Sequence, residues 1–167
     1  MAFDPMQFIQ ATVTSPMSTA ISVCPEGEWT AVVSDAGDMK DWFREAKWTD
    51  KKTGEPRSAA AMSIPFLITD AKPRGILKKK PEESLFASMD FFLDIDSQGG
   101  LDTSEGKNTK LGQLRKALGQ NDVGTPWSFS MLRGAGPVIV KVVQESFDPN
   151  DPTRKAARIV KVTKIPF

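Results

Sequence analysis

Twelve consecutive residues, Leu85 to Asp96, alternate without a break between two faces. Leu85, Ala87, Met89, Phe91, Leu93 and Ile95 line one; Phe86, Ser88, Asp90, Phe92, Asp94 and Asp96 line the other. Side chains of a strand point to opposite faces in turn, so this period of two fits a half-buried strand and no helix. A strand with one apolar face needs sheet neighbours and a core to bury it against. The rest of the chain offers them. Trp29 to Ser34 alternates and is bounded by Asp35, Gly37 and Asp38; Met39 to Thr49 alternates again. Ala60, Met62, Ile64, Phe66 and Ile68 recur at every second position, with Pro65 arguing for an edge or a bulge there. Val138 to Glu145 and Ala157 to Ile165 are the last two strands, joined by the Asp148–Pro152 loop.

Only one clear stretch has the helical period. Leu111, Leu114, Ala117 and Leu118 share a helix face, and Gly119 is a fitting C-terminal cap. Lys72 to Pro81 reads as a basic loop. The order is three or four strands, a helix, then two strands. Closing such strands over one helix removes open sheet edges. The expected fold is mainly β: a small closed five-stranded OB-like barrel with one helix between strands 3 and 4, and long loops. Residues 1–25, rich in Ser, Thr, Pro and Met, read as an N-terminal arm, and 26–167 as one OB-fold nucleic-acid-binding domain.

What the chain lacks narrows its chemistry. It has no histidine and one cysteine, Cys24, so His-based nucleophilic triads and His/Cys zinc sites are excluded. A lone cysteine also forms no intramolecular disulfide and fits a reducing cytosol. Met1 to Pro25 holds no Lys or Arg, so a secretory signal lacks its basic region, and no apolar run is long enough to span a membrane. Tyrosine is absent too, so any ring that stacks is Phe or Trp. The expectation is a non-catalytic, cytoplasmic binding protein without a cofactor.

The formal net charge of +1 hides segregated blocks. Residues 1–39 carry five acids and no base; residues 40–80 carry eleven bases and five acids. Residues 81–106 carry seven acids and no base; residues 107–167 carry eleven bases and four acids. The basic block from residue 40 interleaves charge with rings: Lys40, Trp42, Phe43, Arg44, Lys47, Trp48, Lys51, Lys52 and Arg57. Cations that track phosphates beside rings that stack on unpaired bases are what single-stranded nucleic acid requires. On one strand, Trp42, Arg44 and Trp48 would share a face. Lys72, Arg74, Lys78, Lys79 and Lys80 add charge in a nearby loop. Trp127 and Arg133 lie in the Thr125–Gly134 loop before a strand, where an OB fold flanks its ligand groove. The competing reading is that the tryptophans are core residues and the lysines a solvated surface.

Asp94 to Glu105 places acids at positions 1, 3, 9 and 12 and glycine at position 6 of a twelve-residue calcium loop. Position 5 is Gln98, and a strand pattern precedes the loop, so an acidic connection is expected and no metal ligand is assigned. Asp90, Asp94 and Asp96 share a face as a nuclease site would need, yet no lysine lies within residues 81–106 to complete one.

Pro25-Glu26-Gly27-Glu28-Trp29-Thr30-Ala31-Val32-Val33 resembles the opening strand of phage-encoded OB-fold single-stranded DNA-binding proteins. So do Lys110 to Gly119, Leu132-Arg133-Gly134 and Val138 to Val143. The resemblance implies a protein of phage DNA replication or recombination that coats single strands in the host cytoplasm, with replication or recombination proteins as partners and room for self-association. One departure stands out. Such proteins often end in an acidic tail, whereas this chain ends Lys161-Val162-Thr163-Lys164-Ile165-Pro166-Phe167. Its last three residues are similar to the tip of bacterial single-strand-binding proteins, without the acidic tract. The expected DNA contacts are Trp42, Phe43, Arg44, Lys47, Trp48, Lys51, Lys52, Arg57, Lys78, Lys79, Lys80, Trp127 and Arg133. The alternatives from other classes are a structural protein of a phage particle whose arm wraps a neighbour, and a calcium-stabilised module using residues 94–105.

Overall fold

The computed structural model describes residues 3–18 and 22–166. The alternating stretch at Leu85 forms β4 (Phe86–Leu93), preceded by β1 (Gly27–Val33), β2 (Phe43–Thr49) and β3 (Pro56–Ile68) and followed by β5 (Val138–Ser146) and β6 (Lys155–Lys164). Among the described residues three α-helices accompany these strands: α1 (Pro5–Gln10), α2 (Ala71–Ile76) and α3 (Thr109–Ala117). One sheet holds all six strands in the order β1-β5-β6-β4-β3-β2, and β1 also pairs with β3. That extra pairing closes a ring of five strands, β1-β5-β6-β4-β3. The sheet therefore has one strand more than the five expected, because β2 lies outside the ring.

β3 is long enough to serve two neighbours along one edge. Pro56 to Met62 pairs with β2, and Phe66 to Ile68 pairs with β1. Pro65 sits between the two and marks neither the edge nor the bulge expected, since its register with β4 runs unbroken from Ile64↔Met89 to Phe66↔Ala87. Its carbonyl accepts from the Ser34 N–H at 2.9 Å, on the β1 side. A strand residue points its N and its C=O the same way, so the missing proline donor is lost from this side and not from the β4 ladder.

The inward positions make one core. Met62, Ile64, Phe66 and Ile68 of β3 meet Ala87, Met89, Phe91 and Leu93 of β4, with Val138, Val140 and Val142 of β5 and Ile159 of β6. Leu111 and Leu114 bring α3 onto this cluster. Full burial of one such large side chain is worth about 1.5–3 kcal/mol, so the inward faces of β3 and β4 are the main reason the ring holds. The helix ends as expected. Gly119 has φ +71°, its N–H donates to the Lys116 carbonyl, and the Gln120 N–H donates to the Arg115 carbonyl.

The Pro-Glu-Gly-x-Trp run has a local physical basis. The Trp29 indole N–H donates to the Pro25 carbonyl at 2.8 Å, which folds the ring back over Gly27. A Cβ on residue 27 would lie 2.6 Å from that ring, and its φ of +151° already disfavours a side chain.

Two further expectations change. Residues 72–81 are not wholly loop, since α2 occupies their first half. Its Arg74 is buried: Nε donates to the Glu83 carbonyl at 2.8 Å and Nη1 to the Asp70 carbonyl at 3.0 Å, so this cation ties a turn together and faces no ligand. In the stretch expected as an arm, α1 has no buried residue, whereas Cys24 is fully buried in the core. Burial pushes the Cys24 thiol up to about 11, with the positive charge of Arg74 opposing in part. Residues 1, 2 and 19–21 of that stretch, and Phe167 at the other end, lie outside the described residues.

Candidate nucleic-acid interface

The outward positions of β2, β3 and β4 form one continuous surface. Residues opposite one another across a ladder share a face, and the register sets Arg44 beside Ala61 and Ala61 beside Phe92. Two and four residues along β2 from Arg44 come Ala46, opposite Ala59, and Trp48, opposite Arg57. The three alanines leave a shallow floor. Over it the exposed rings of Trp48 and Phe92 meet, with centroids 6.2 Å apart and planes inclined by 60°.

Next to Phe92 the surface turns polar. Asp90 accepts from the Ser63 hydroxyl at 2.6 Å and lies 3.4 Å from Nε of Arg158, whose Nη1 donates to the Ser88 hydroxyl at 2.6 Å. Arg158 arrives from β6, where it is in register with Ser88 across the parallel strands β4 and β6. The Lys110 ammonium, from α3, donates to the Asp90 carbonyl and sits 5.1 Å from the Phe91 ring. Arg44, Phe92, Lys110 and Arg158 line a groove of about 300 Å³ together with the carboxylates of Asp90 and Glu145.

The expected contacts divide. Arg44, Lys47, Trp48, Lys51, Lys52 and Arg57 all belong to the β2–β3 hairpin and are exposed. Lys47 pairs with Glu45 at 3.8 Å, and Arg57 with Asp50 at 3.6 Å and Glu55 at 3.9 Å. The pairs with Glu45 and Glu55 are exposed and worth little, whereas Asp50 is half-buried and also accepts from the Lys52 and Thr53 N–H groups. Trp42 is a correction. It ends a 3₁₀ turn, Met39–Trp42, capped by Asp38, and is buried in the core. The turn breaks the strand parity that would have set Trp42 beside Arg44.

Phe43 and Trp127 also stand apart from the hairpin's outward face. Phe43 meets Phe129 edge-on at 5.1 Å, Phe129 meets Trp127 at 5.1 Å, and Arg115 lies 4.3 Å from the Trp127 ring. The Trp127 indole N–H donates to Gln120 Oε1 at 3.0 Å. Arg133 donates to the Asp35 carbonyl and joins two loops. Lys79 pairs with Glu83 at 3.7 Å, while Lys78 and Lys80 are exposed beyond α2.

Phe92 and Arg158 lie on this candidate surface although sequence reasoning did not assign them to it. The signal for Phe92 was present, as a large ring on the polar face of the alternation. Arg158 gave none, because its place depends on a pairing between strands far apart in the chain.

The acidic loop uses its carboxylates internally. Asp94 Oδ2 accepts from the Asn108 N–H at 2.9 Å; Asp96 Oδ1 accepts from the N–H groups of Gln98 and Gly100, both at 2.9 Å. Asp102 accepts from the Ser104 hydroxyl and N–H, which lower its pKa. Among the described residues no three such groups gather in a way that could hold a metal ion. No helix among them is long and apolar enough to cross a membrane.

Comparison with protein-family models, with curated proteins and with solved structures finds no match.

Proposed function

We propose that this protein binds single-stranded DNA with little sequence preference and without catalysis, acting in phage DNA replication or recombination. The observation that carries the reading is the pair of touching, exposed rings, Trp48 and Phe92, on a sheet face where Arg44, Arg57 and Arg158 also project. Rings left in water on an outward sheet face, with cations around them, fit stacked bases between tracked phosphates. Connectivity supports the same reading. Within the ring the strands follow one another as β1, β3, β4, β5 and β6, and α3 falls between the third and fourth of them. An OB fold has this order, and it binds oligonucleotides on the face of its second and third strands, here β3 and β4.

Titration with an oligothymidine, followed by tryptophan emission, tests the proposal. The chain has four tryptophans and no tyrosine, and Trp48 is the one left largely exposed. Emission should quench on binding, single strands should compete far better than duplex, and affinity should fall steeply with salt, by about 0.7 in log–log slope per phosphate neutralised. Absence of quenching, or a slope near zero, overturns the reading.

A second reading, a structural protein whose arm lies on a neighbour, is favoured by the exposed apolar side chains Phe3, Met6, Phe8 and Ile9 around α1. Self-association through this arm without any DNA binding would select it.

A further inference from the structure

The face that carries Trp48 and Phe92 does not end at β4. The ring continues through Arg158 onto β6 and then β5, and here the ladder contains an irregularity. Lys141 pairs with Lys161, but Val142 pairs with Ile159, so Val160 is an extra residue in β6. A bulge of this kind sets two residues of one strand against one of the other and re-aims their side chains. Val160 is thereby exposed and lines the same groove as Arg44, Phe92 and Arg158.

Beside it, Lys141 and Lys161 stand directly opposite each other, both exposed. Like charges in opposed register destabilise a sheet. Glu28 of β1 lies across from Lys141 in register, yet among the described residues neither lysine has an ion pair. Glu28 offsets Lys141 in part, and the pair stands next to a groove to which Arg44, Lys110 and Arg158 bring positive charge and Asp90 and Glu145 negative.

We propose that a single strand leaving the Trp48–Phe92 platform crosses Arg158 and Val160 and is held through its phosphates by Lys141 and Lys161. The ligand class is the polyphosphate backbone, read without regard to base. This extension rests on the proposed single-strand binding. It makes the occupied site longer than the β2–β3 hairpin alone would give.

The test compares the full chain with the Lys141→Gln/Lys161→Gln double variant, using oligothymidines of increasing length over a salt series. For long oligomers the double variant should lose about 1.4 in log–log salt slope, two phosphates at about 0.7 each. The gain in affinity with length should stop at a shorter oligomer than for the parent. The shortest oligomers should bind both proteins alike. The variant's melting temperature should hold or rise, since an opposed like-charged pair is gone. Parent-like slope and length dependence in the variant overturn the extension while leaving the platform intact. A fall in melting temperature overturns the claim that the pair serves a ligand and not the sheet. A parent that binds no oligothymidine at all overturns both readings together.

Discussion

Two groups of rings on this molecule differ in what they do with their polar neighbours. Around Trp127, the indole N–H is taken by Gln120, the ring face by Arg115 and the ring edge by Phe129, which in turn meets Phe43. Around Trp48, the contact is one other exposed ring; of the cations on that face Arg57 is held by Asp50 and Glu55 and Arg158 by Asp90 and Ser88, while Arg44 has no ion pair among the described residues. The first group is complete in itself and joins a loop to the core. The second is incomplete: it leaves apolar ring faces in water and has charge to spare. Aromatic content alone does not distinguish a packing cluster from the proposed binding surface; the satisfaction of each ring's neighbours is the difference the structure offers.

Three substitutions break or sharpen this contrast. Trp42→Ala removes a buried ring and should lower stability by about 3–5 kcal/mol in urea denaturation. A loss under 1 kcal/mol would show that Trp42 is not the core residue that its burial indicates. Trp48→Ala should behave in the opposite way. Affinity for oligothymidine should fall by about 1–3 kcal/mol with the salt slope little changed, while the melting temperature stays near that of the parent. If binding is unchanged and melting collapses, the two groups of rings have the same role. Trp127→Phe keeps a ring but deletes the donor to Gln120, so stability should fall by about 0.5–1.5 kcal/mol. Its oligothymidine affinity should match the parent; a weakened affinity in a folded variant would extend the binding surface to the Trp127 loop.

Sequence periodicity made β4 and α3 legible because each is set by local spacing, and the Asp148–Pro152 loop by its turn residues. It failed where the answer depends on parity across a turn or on a distant strand. Trp42 follows the Met39–Thr49 alternation on paper, but Asp38 accepts from the Lys40 N–H and starts a 3₁₀ turn that carries the ring inward. Pro65 lacks a donor and so points to an edge or a bulge; no local pattern tells that β3 changes partners at that residue. The cations of the β2–β3 hairpin were legible as a group, since they are neighbours in the chain. Arg158, 70 residues from the Ser88 it bonds, was not.

Cys24 gives the molecule a built-in clock for its own opening. The thiol is fully enclosed and holds its proton until about pH 11, so the native chain presents almost no thiolate to an alkylating reagent at neutral pH. The unfolded chain ionises near the ordinary value of 9.0 and reacts freely. Because the folded thiol is the weaker acid, its contribution to stability is complete below about pH 9 and is lost as pH rises towards 11. With a single cysteine in the chain, each labelled molecule records one exposure of the segment leading into β1. The rate of labelling, with and without a bound strand, reads how firmly a ligand on the outer face locks a residue on the inside.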